Sequence, residues 1–257
     1  MKFNPAISGF LQTFFDRIFI ITLERATARH EKIFRNFEGL PFEFFYGVDK
    51  RTLSWEKVNA ENIYNDKRSR KANLVNRSMT IGHIACSLSH RKLYEHILDK
   101  GYQRILIFED DAIPDFQILS QLPDAIRELP EDWELIYLGY KKNEMATLPL
   151  RRKQALYKKL ARLGLIKSSL QMINNTLPRD FSGRLQYAGL HDLAHAYGIT
   201  AAACKKLVAA QTPVLFNADI LLGHMVMNEK LKAFITRDKF FHQGYTLGLH
   251  EHSFVNE

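Results

Sequence analysis

The sequence predicts an α/β fold built around a mostly parallel sheet, and three patterns lead to this prediction. Residues 18–23 form a β-branched, apolar run, which is followed by a helical pattern and a second apolar run at residues 42–46. This strand–helix–strand order is typical of a right-handed βαβ unit with parallel strands. Residues 105–108 form a continuous apolar run between Gly101 and Pro114, which indicates a strand buried on both faces. With 257 residues, the chain is long enough to bury a sizeable core as one large domain.

The other predicted elements follow from apolar periodicity, capping residues and helix-ending glycines. Thr80 and Thr200 each precede a helical pattern and are predicted N-caps, whereas the polar and basic residues 50–78 are predicted to be irregular. In chain order, the predictions are a short helix within residues 1–17, a helix ending at Gly39, a helix from Thr80 to Gly101, a short helix between Pro123 and Pro130, strands at residues 135–139 and 195–199, a helix at residues 200–210, a helix from Asp219 to Met227, and a last strand at residues 231–236.

Three consecutive carboxylates follow the strand at residues 105–108, and we expect them to mark a ligand site. Adjacent carboxylates repel one another, so Glu109, Asp110 and Asp111 at a strand end destabilise the fold unless a cation offsets their charge. Hard divalent ions such as Mg²⁺ or Mn²⁺ take oxygen ligands and leave positions open for substrate phosphates. Ligands of α/β sheets bind beyond the carboxyl ends of the strands. In an extended chain, Glu109 and Asp111 would share one face and Asp110 the other. The alternative is a solvated acidic turn.

The basic character of the chain is concentrated in residues 141–184, which hold eleven basic and two acidic residues. Their net charge of +9 exceeds the +8 of the whole chain, so the remainder is close to neutral. Leu156, Leu160 and Leu163 lie along one side of a helical pattern between these cations, which predicts a basic amphipathic helix that contacts an anionic membrane. The alternative is a helical hairpin whose leucines pack on the core. Only Tyr157 lies among the cations, so the segment lacks the aromatic interleaving of a nucleic-acid stacking platform, and we expect no nucleic-acid partner.

Cysteine usage and targeting patterns favour a cytoplasmic protein. Cys86 and Cys204 provide no disulfide framework, which suggests a reducing compartment. The N-terminal segment shows no secretory signal with a small-residue cleavage site, and no stretch of about 18 uninterrupted apolar residues is present. We therefore expect a cytoplasmic protein, with peripheral contact at the inner membrane through the basic segment.

Several motifs, taken in their order and spacing, resemble those of the family 25 glycosyltransferases. This family includes bacterial lipooligosaccharide galactosyltransferases and the collagen galactosyltransferase domain. The similarity extends over most of residues 18–225 but not over residues 141–184. One departure is Lys50, which stands where glycine is usual in the family's Val-Asp-Gly corner. The matching motifs are the opening strand and arginine-bearing turn at residues 20–25 with Arg29, the corner at residues 47–49, the glycine-to-Ser-His helix at residues 82–90, the acidic triplet at residues 109–111, and the C-terminal signatures at residues 195–197 and Asp219.

The resemblance implies a single GT-A-type, Rossmann-like domain over residues 1–257, with the basic insert at about residues 141–190. It also implies a nucleotide-sugar donor, a divalent metal, Mn²⁺ or Mg²⁺, and inversion at the anomeric carbon. We therefore expect transfer of a hexose, galactose from UDP-galactose, to a lipooligosaccharide or related glycan acceptor. The rival hypotheses are a nucleotide-sugar hydrolase and, from another class, a basic nucleic-acid-binding protein.

Eight residues are predicted to bind the donor. Arg25 and Arg29 would face its phosphates, because guanidinium groups match phosphate oxygens, although either could lie on an exposed helix face. Asp49 would bind the base or ribose, with a turn-stabilising role as the alternative. Ser89 and His90 are adjacent on one helix, so we expect only one of them to contact the donor or the triplet. The full set is Leu23, Arg25, Arg29, Asp49, Ser89, His90, Glu109 and Asp110.

Three further residues are predicted to carry the chemistry. Asp111 lies furthest from the strand and is the predicted direct metal ligand. His195 is a second predicted metal ligand, since neutral imidazole ligates metals well, and a structural histidine is the alternative. Asp219 is the predicted catalytic base that removes the acceptor hydroxyl proton, with helix capping as its alternative. Cys86 is interpreted as a small buried residue rather than a nucleophile.

Overall fold

The computed structural model of the chain describes residues 2–73 and 77–248, and helices and strands alternate along most of this length. Short 3₁₀ turns lie at Lys50–Thr52, Leu119–Gln121 and Gly244–Leu247. The helices are α1 (Pro5–Phe14), α2 (Thr27–Asn36), α3 (Trp55–Ala60), α4 (Asp66–Asn73), α5 (Ile81–Asp99), α6 (Leu122–Arg127), α7 (Leu148–Arg162), α8 (Leu170–Asn174), α9 (Ala201–Ala210) and α10 (Ala218–Met227). The strands are β1 (Arg17–Thr22), β2 (Glu43–Tyr46), β3 (Arg104–Glu109), β4 (Ala112–Pro114), β5 (Leu135–Lys141), β6 (Arg179–Asp180), β7 (Leu185–Tyr187), β8 (Asp192–Thr200), β9 (Ala233–Thr236) and β10 (Phe241–Gln243).

One large sheet organises the described chain, with the strand order β2-β1-β3-β8-β5-β9-β7-β6. β1 is parallel to both β2 and β3, and β5 is parallel to β9. The sheet is mixed, because β8 runs antiparallel to its neighbours β3 and β5, and the edge strands β7 and β6 also pair antiparallel. The α/β class and the parallel β1–α2–β2 unit are therefore confirmed.

Apolar side chains on both faces of the sheet form the core. On one face Phe19 of β1 and Ile107 of β3 pack in the same cluster as Leu93 of α5. On the other face Ile20 and Phe108 belong to a second cluster, which includes residues of α1, α2 and α6. Helices thus cover both faces, which explains why β1 and β3 are continuously apolar.

Local capping explains where the main helices begin and end. Thr80 accepts a hydrogen bond from the His83 amide (3.3 Å), and Thr200 accepts one from the Ala203 amide (3.4 Å), as predicted for two N-caps. Gly39 follows α2 with a left-handed φ of 86°, and a Cβ there would lie 2.8 Å from the Phe3 carbonyl oxygen. Glycine is therefore required at this position by both conformation and space.

One prediction about local structure was wrong, and one strand of a long-range pair was missed. Residues 50–78 contain the helices α3 and α4, because short polar helices need only a cap and one buried anchor, here Ser54 with Val58 for α3 and Ser69 for α4. Strand β10 was not predicted at all. It pairs with β4 across more than 100 residues, and no local pattern indicates such a pairing.

The basic segment is helical only in its first part. α7 and α8 confirm the helical prediction, but residues 179–187 form β6 and β7, and β7 pairs with β9 at the edge of the main sheet. None of the α7 side chains is buried, and Leu156 and Leu163 are 55% and 71% exposed. The alternative in which these two leucines pack on the core is therefore wrong. Among the described helices, none is both long and apolar enough to cross a bilayer.

Candidate functional site

A cavity of about 360 Å³ opens at the edge of the sheet where β1 and β3 end. Because β1, β2 and β3 are parallel, their carboxyl ends meet at this edge, and the antiparallel β8 begins there. The first turns of α5 and α10 form part of the cavity wall. Eight predicted site residues line this cavity: Leu23, Arg29, Ser89, His90, Glu109, Asp110, Asp111 and Asp219.

The three consecutive carboxylates all face this one cavity. β3 ends at Glu109, and the chain turns at Asp110 and Asp111 before β4 begins. The expected alternation, with Asp110 on the opposite face, was wrong because the chain is no longer extended after Glu109. The turn thus gathers three acidic groups that an extended strand would separate.

Asp110 is held by two partners that offset its charge. It accepts a hydrogen bond from the Thr22 hydroxyl (2.9 Å) and forms an ion pair with Arg29, whose side chain is only 15% exposed. Burial raises the pKa of Asp110, while the Arg29 guanidinium and the Thr22 hydroxyl oppose that rise. Arg29 therefore lines the cavity as predicted and is engaged with a carboxylate there.

Glu109 ends a buried chain of hydrogen bonds. The Tyr94 and Tyr197 hydroxyls lie 2.9 Å apart, Tyr197 lies 2.9 Å from His90 Nδ1, and His90 Nε2 lies 3.2 Å from Glu109 Oε1. If Tyr197 donates to Nδ1, the neutral imidazole carries its proton on Nε2 and donates it to the carboxylate. Burial alone would raise the pKa of Glu109, but the hydrogen bond from His90, together with the positive charge of Arg29, outweighs it, so the pKa lies below its usual value.

Asp111 differs from its two neighbours because one of its oxygens has no partner. Oδ1 is buried and lacks a hydrogen bond within the described part of the chain. Burial, together with the charges of Glu109 and Asp110, raises the pKa of Asp111 to about 8, although a hydrogen bond from Gln243 opposes this. A buried anionic oxygen without a partner is costly. The donor set of hard carboxylate oxygens with one vacant acceptor therefore suits a divalent cation such as Mn²⁺ or Mg²⁺.

Asp219 faces the same cavity from a different element. It stands in the first turn of α10, where Oδ1 accepts from the Ile220 amide (2.8 Å) and Oδ2 from the Leu193 amide (3.3 Å). Burial raises its pKa, and these two amides oppose the rise. Asn217, not Asp219, occupies the N-cap position of α10. The structure thus brings a carboxylate of elevated pKa to the wall that also carries the acidic triplet.

Ser89 and His90 both line the cavity, although adjacent helical positions were expected to face apart. His90 contacts the triplet. Ser89 accepts a hydrogen bond from the Val48 amide and donates one to the Ala85 carbonyl, both at 2.8 Å. A Cβ on Gly47 would lie 2.6 Å from the Ser89 hydroxyl, so this corner packs directly on α5. Ser89 therefore fixes the shape of the cavity wall.

Arg25 and Asp49 line a second, adjoining cavity of about 640 Å³. Their side chains form an ion pair of 2.5 Å, and Asp49 also accepts the Arg51 amide (3.0 Å) at the start of a 3₁₀ turn. Burial opposes ionisation of Asp49, but the Arg25 guanidinium overcomes it and the pKa is lowered. Leu23 lines both cavities, so the two lie side by side in a cleft along the ends of β1 and β2.

His195 lies behind the cavity rather than among its lining residues. It is 2% exposed, its Nε2 lies 3.2 Å from the Phe241 carbonyl oxygen, and a Cβ on Gly139 would lie 2.2 Å from the same nitrogen. Burial lowers its pKa, so the ring is neutral. Its Nδ1 has no described partner. A metal-binding role for His195 stays a prediction that the geometry of the cavity wall does not favour.

The described residues contain one cluster of metal-ligating types with close donor atoms, namely Cys86, His90 and Glu109, all within 4.8 Å. Both ring nitrogens of His90 already have protein partners. Burial, with the nearby carboxylate charges of Glu109 and Asp219, raises the pKa of the Cys86 thiol well above its usual value. Cys86 is only partly buried and lines the cavity, but a protonated thiol agrees with the interpretation that it is not a nucleophile.

Several contributors to the site were not predicted from the sequence. Thr22 and Gln243 bond to the triplet, and Tyr94 and Tyr197 support His90. Thr22 ends an apolar strand beside the triplet, so strand order would have indicated it. The tyrosines look like ordinary core residues in the sequence, and Gln243 depends on the long-range pairing of β10.

The fold and the cleft together define an α/β protein of Rossmann-like architecture, with an acidic cavity at the carboxyl ends of its parallel strands, where such folds bind ligands. A family model described as glycosyltransferase family 25 (LPS biosynthesis protein) matches residues 15–222, and the chain belongs to this family. The resemblance found in the motifs is thereby confirmed.

Individual relatives share a limited region with the chain. Procollagen galactosyltransferase 2 of Homo sapiens is 31% identical over 141 residues, which are 51% of this chain and 22% of that protein. A glycosyltransferase 25 family member of Aedes aegypti is 36% identical over 135 residues, 49% of this chain and 21% of the relative. A Bos taurus relative, 27% identical over 137 residues, is named a probable inactive family member. The matched region is thus about a fifth of each of these curated relatives.

Proposed function

We propose that the chain is an inverting galactosyltransferase that moves galactose from UDP-galactose to a lipooligosaccharide or related glycan. The observation that carries this proposal is that Asp111, with its unpartnered buried oxygen, and Asp219 line one cavity at the carboxyl edge of the sheet. Family membership and the galactosyltransferase name of the human relative support the choice of reaction and sugar.

The donor would lie across the two adjoining cavities of the cleft. Its base or ribose would bind in the larger cavity, where Asp49 accepts hydrogen bonds and Arg25 donates them. Its diphosphate and galactose would enter the smaller cavity over Leu23, with Arg29 near the phosphates. Glu109 and Asp110 would accept hydrogen bonds from sugar hydroxyls, since His90 and Thr22 already hold their carboxylates in place.

Asp111 would hold a divalent cation, Mn²⁺ or Mg²⁺, with help from the neighbouring carboxylates. When bound, such an ion neutralises the diphosphate and lowers the energy of the departing nucleotide. The protein contribution is to keep three carboxylates together in a buried turn before the ligand arrives. Because the pKa of Asp111 is raised, binding of the cation would displace a proton from this residue at neutral pH.

Asp219 would act as the general base. Its carboxylate takes the proton of the acceptor hydroxyl as that oxygen forms a bond to the anomeric carbon and the bond from this carbon to the diphosphate oxygen breaks. Attack opposite to the leaving group inverts the anomeric centre. Asp219 lies in α10, whereas the triplet lies at the end of β3. The general base and the metal-binding carboxylates can therefore flank the sugar from two sides.

The test is a donor panel with Mn²⁺, read as release of free nucleoside diphosphate with and without an acceptor. The acceptor arms are lipooligosaccharide and procollagen, because the family description and the human relative point to different acceptors. Acceptor-dependent release of UDP from UDP-galactose is the expected result. Release that no acceptor stimulates would favour a nucleotide-sugar hydrolase instead.

A further inference from the structure

The outer face of α7 combines exposed leucines with unpaired cations. At 3.6 residues per turn, Leu148, Arg152, Leu156 and Lys159 of α7 fall within one sector of about 80°, together with the C-cap residue Leu163. The three leucines are 61%, 55% and 71% exposed. Isolated exposed leucines are ordinary, but several on one helix face mark a contact surface.

The opposite side of α7 is the side that holds it to the protein. Gln154 lies there and donates to the Ile173 carbonyl oxygen at the end of α8 (2.8 Å). α8 is in turn attached near the end of α10, where Asn175 donates to the Met227 carbonyl oxygen (3.2 Å) and Gln171 to Glu229 (2.9 Å). α7 is therefore anchored through one side only, and its leucine-bearing face points to solvent.

Charge distinguishes the kind of partner that fits this face. The sequence of α7 contains six cations and no carboxylate. Within the described chain, none of these six forms an ion pair with a carboxylate, so their charges are available to a ligand. The six are Arg151, Arg152, Lys153, Lys158, Lys159 and Arg162.

We propose that the outer face of α7 docks the protein on an anionic lipid bilayer, with the three leucines in the headgroup zone and the cations against lipid phosphates. A protein partner with a matching acidic groove would need specific shape, whereas a bilayer requires only the combination seen here, an apolar stripe flanked by cations. Nucleic acid would use the cations but leave the leucines exposed. The docking is independent of the transfer reaction and is measured without donor.

The experiment is co-sedimentation of the full chain with vesicles of phosphatidylcholine alone and of phosphatidylcholine mixed with phosphatidylglycerol, at low and high salt. Three variants are compared. The charge variant changes Arg152, Lys159 and Arg162 to Gln, and the leucine variant changes Leu148, Leu156 and Leu163 to Gln. The matched control changes three exposed cations of another basic helix, Lys67, Arg68 and Lys71 of α4, to Gln.

We expect the wild type to bind only the anionic vesicles. The charge variant should bind them about tenfold more weakly or worse, since each Lys or Arg near the surface contributes substantially. The leucine variant should lose the binding that persists at high salt, and the α4 variant should behave like the wild type. Because α7 buries no side chain, all variants should keep the wild-type Tm.

The proposal is overturned if the α4 variant loses as much binding as the charge variant, because attraction would then be a property of net charge. It is also overturned if the leucine variant binds as the wild type does, or if wild type binds both vesicle types equally. Binding of duplex DNA that depends on the α7 cations, without binding to anionic vesicles, would assign the face to nucleic acid instead.

Discussion

The carboxylates of the acidic cavity are buried and two of the three are held by partners, whereas the cations of α7 are mostly exposed to solvent. Glu109 and Asp110 each have a dedicated donor, His90 and Arg29, and Asp111 is kept largely protonated by its raised pKa. The cations of α7 need no such support, because water solvates them. The buried carboxylates therefore indicate a specific ligand that fits the cavity. The exposed cations of α7 indicate only long-range attraction to anionic partners.

The largest effect is expected from Asp111→Asn, which replaces the carboxyl group proposed to bind the cation with a neutral amide. Transfer should fall by about 1000-fold, as for other losses of electrostatic stabilisation at a reacting centre, and excess EDTA should abolish wild-type transfer. Asp99→Asn, a matched change at the exposed C-terminal end of α5, should keep full activity. Full activity of Asp111→Asn, or of the wild type in EDTA, would refute the metal assignment.

The second prediction concerns the pH dependence of stability through His191, which lies where the basic insert joins the part of the chain that forms the cavity. His191 joins both ends of the basic insert, because its Nδ1 donates to the Lys142 carbonyl (2.9 Å) and its Nε2 accepts from the Gly189 amide (2.9 Å). This tautomer is neutral, and burial lowers the pKa of His191 from 6.5 to about 4. A proton on Nε2 would break the hydrogen bond from the Gly189 amide and place two donors against each other, so the neutral ring is favoured.

The unfolded chain therefore binds a proton that the folded chain does not bind between these two pH values. His191 should not affect the free energy of unfolding above pH 6.5. As the pH falls from 6.5 towards 4, protonation of His191 in the unfolded chain should lower the free energy of unfolding by about 3 kcal/mol. Urea unfolding of wild type and His191→Gln at a series of pH values measures it, since other titrations cancel in the difference. Parallel pH profiles for the two proteins would contradict a neutral His191.

Asp219→Asn should lower kcat by about 100-fold while donor affinity stays nearly unchanged, because a general base acts mainly in the transition state. Since burial raises the pKa of Asp219, wild-type kcat should fall with decreasing pH from a point above the usual aspartate pKa, and the variant should lack this limb. Asp192→Asn, which removes a nearby carboxylate paired with Lys142, is the control and should keep the limb. Collapse of donor affinity in Asp219→Asn would assign Asp219 to binding.

The smallest effect is expected from the hydrogen-bond chain behind the cavity. Tyr197→Phe removes the hydroxyl that hydrogen-bonds to Nδ1 of His90, and should weaken Mn²⁺-dependent binding of the sugar donor by about tenfold. Tyr94→Phe leaves the Tyr197–His90 bond intact and should have a smaller effect. Equal effects of the two changes on donor binding would indicate that only core packing is involved.

Much of the fold was predictable because it depends on local patterns. The apolar runs of β1 and β3 and the caps at Thr80 and Thr200 need no information from distant residues. Asp219 was expected at the site because it matches a family motif and an inverting transfer needs a base, whereas no local pattern in the sequence indicates that it lies beside the triplet. His195 shows the limit of motif reasoning, because its position behind the wall follows from the packing of Gly139 and Phe241.

The triplet and the insert also combine features that local patterns predict with features that depend on distant residues. That residues 109–111 form a turn, and not an extended continuation of β3, depends on where β4 finds its partner β10, which the sequence does not reveal locally. In the insert, the helical periodicity of α7 was evident, but its attachment through Gln154 and the edge pairing of β7 depend on contacts with distant elements.

The most direct test of the central claim, that the acidic cavity binds a nucleotide-sugar donor together with a cation, is calorimetric titration of UDP-galactose with and without Mn²⁺. The wild type and the α7 charge variant should both bind the donor more tightly with Mn²⁺, and Asp111→Asn should bind it equally weakly in both conditions. Donor binding by the wild type that is indifferent to Mn²⁺, or a Mn²⁺ effect that survives in Asp111→Asn, would contradict the account.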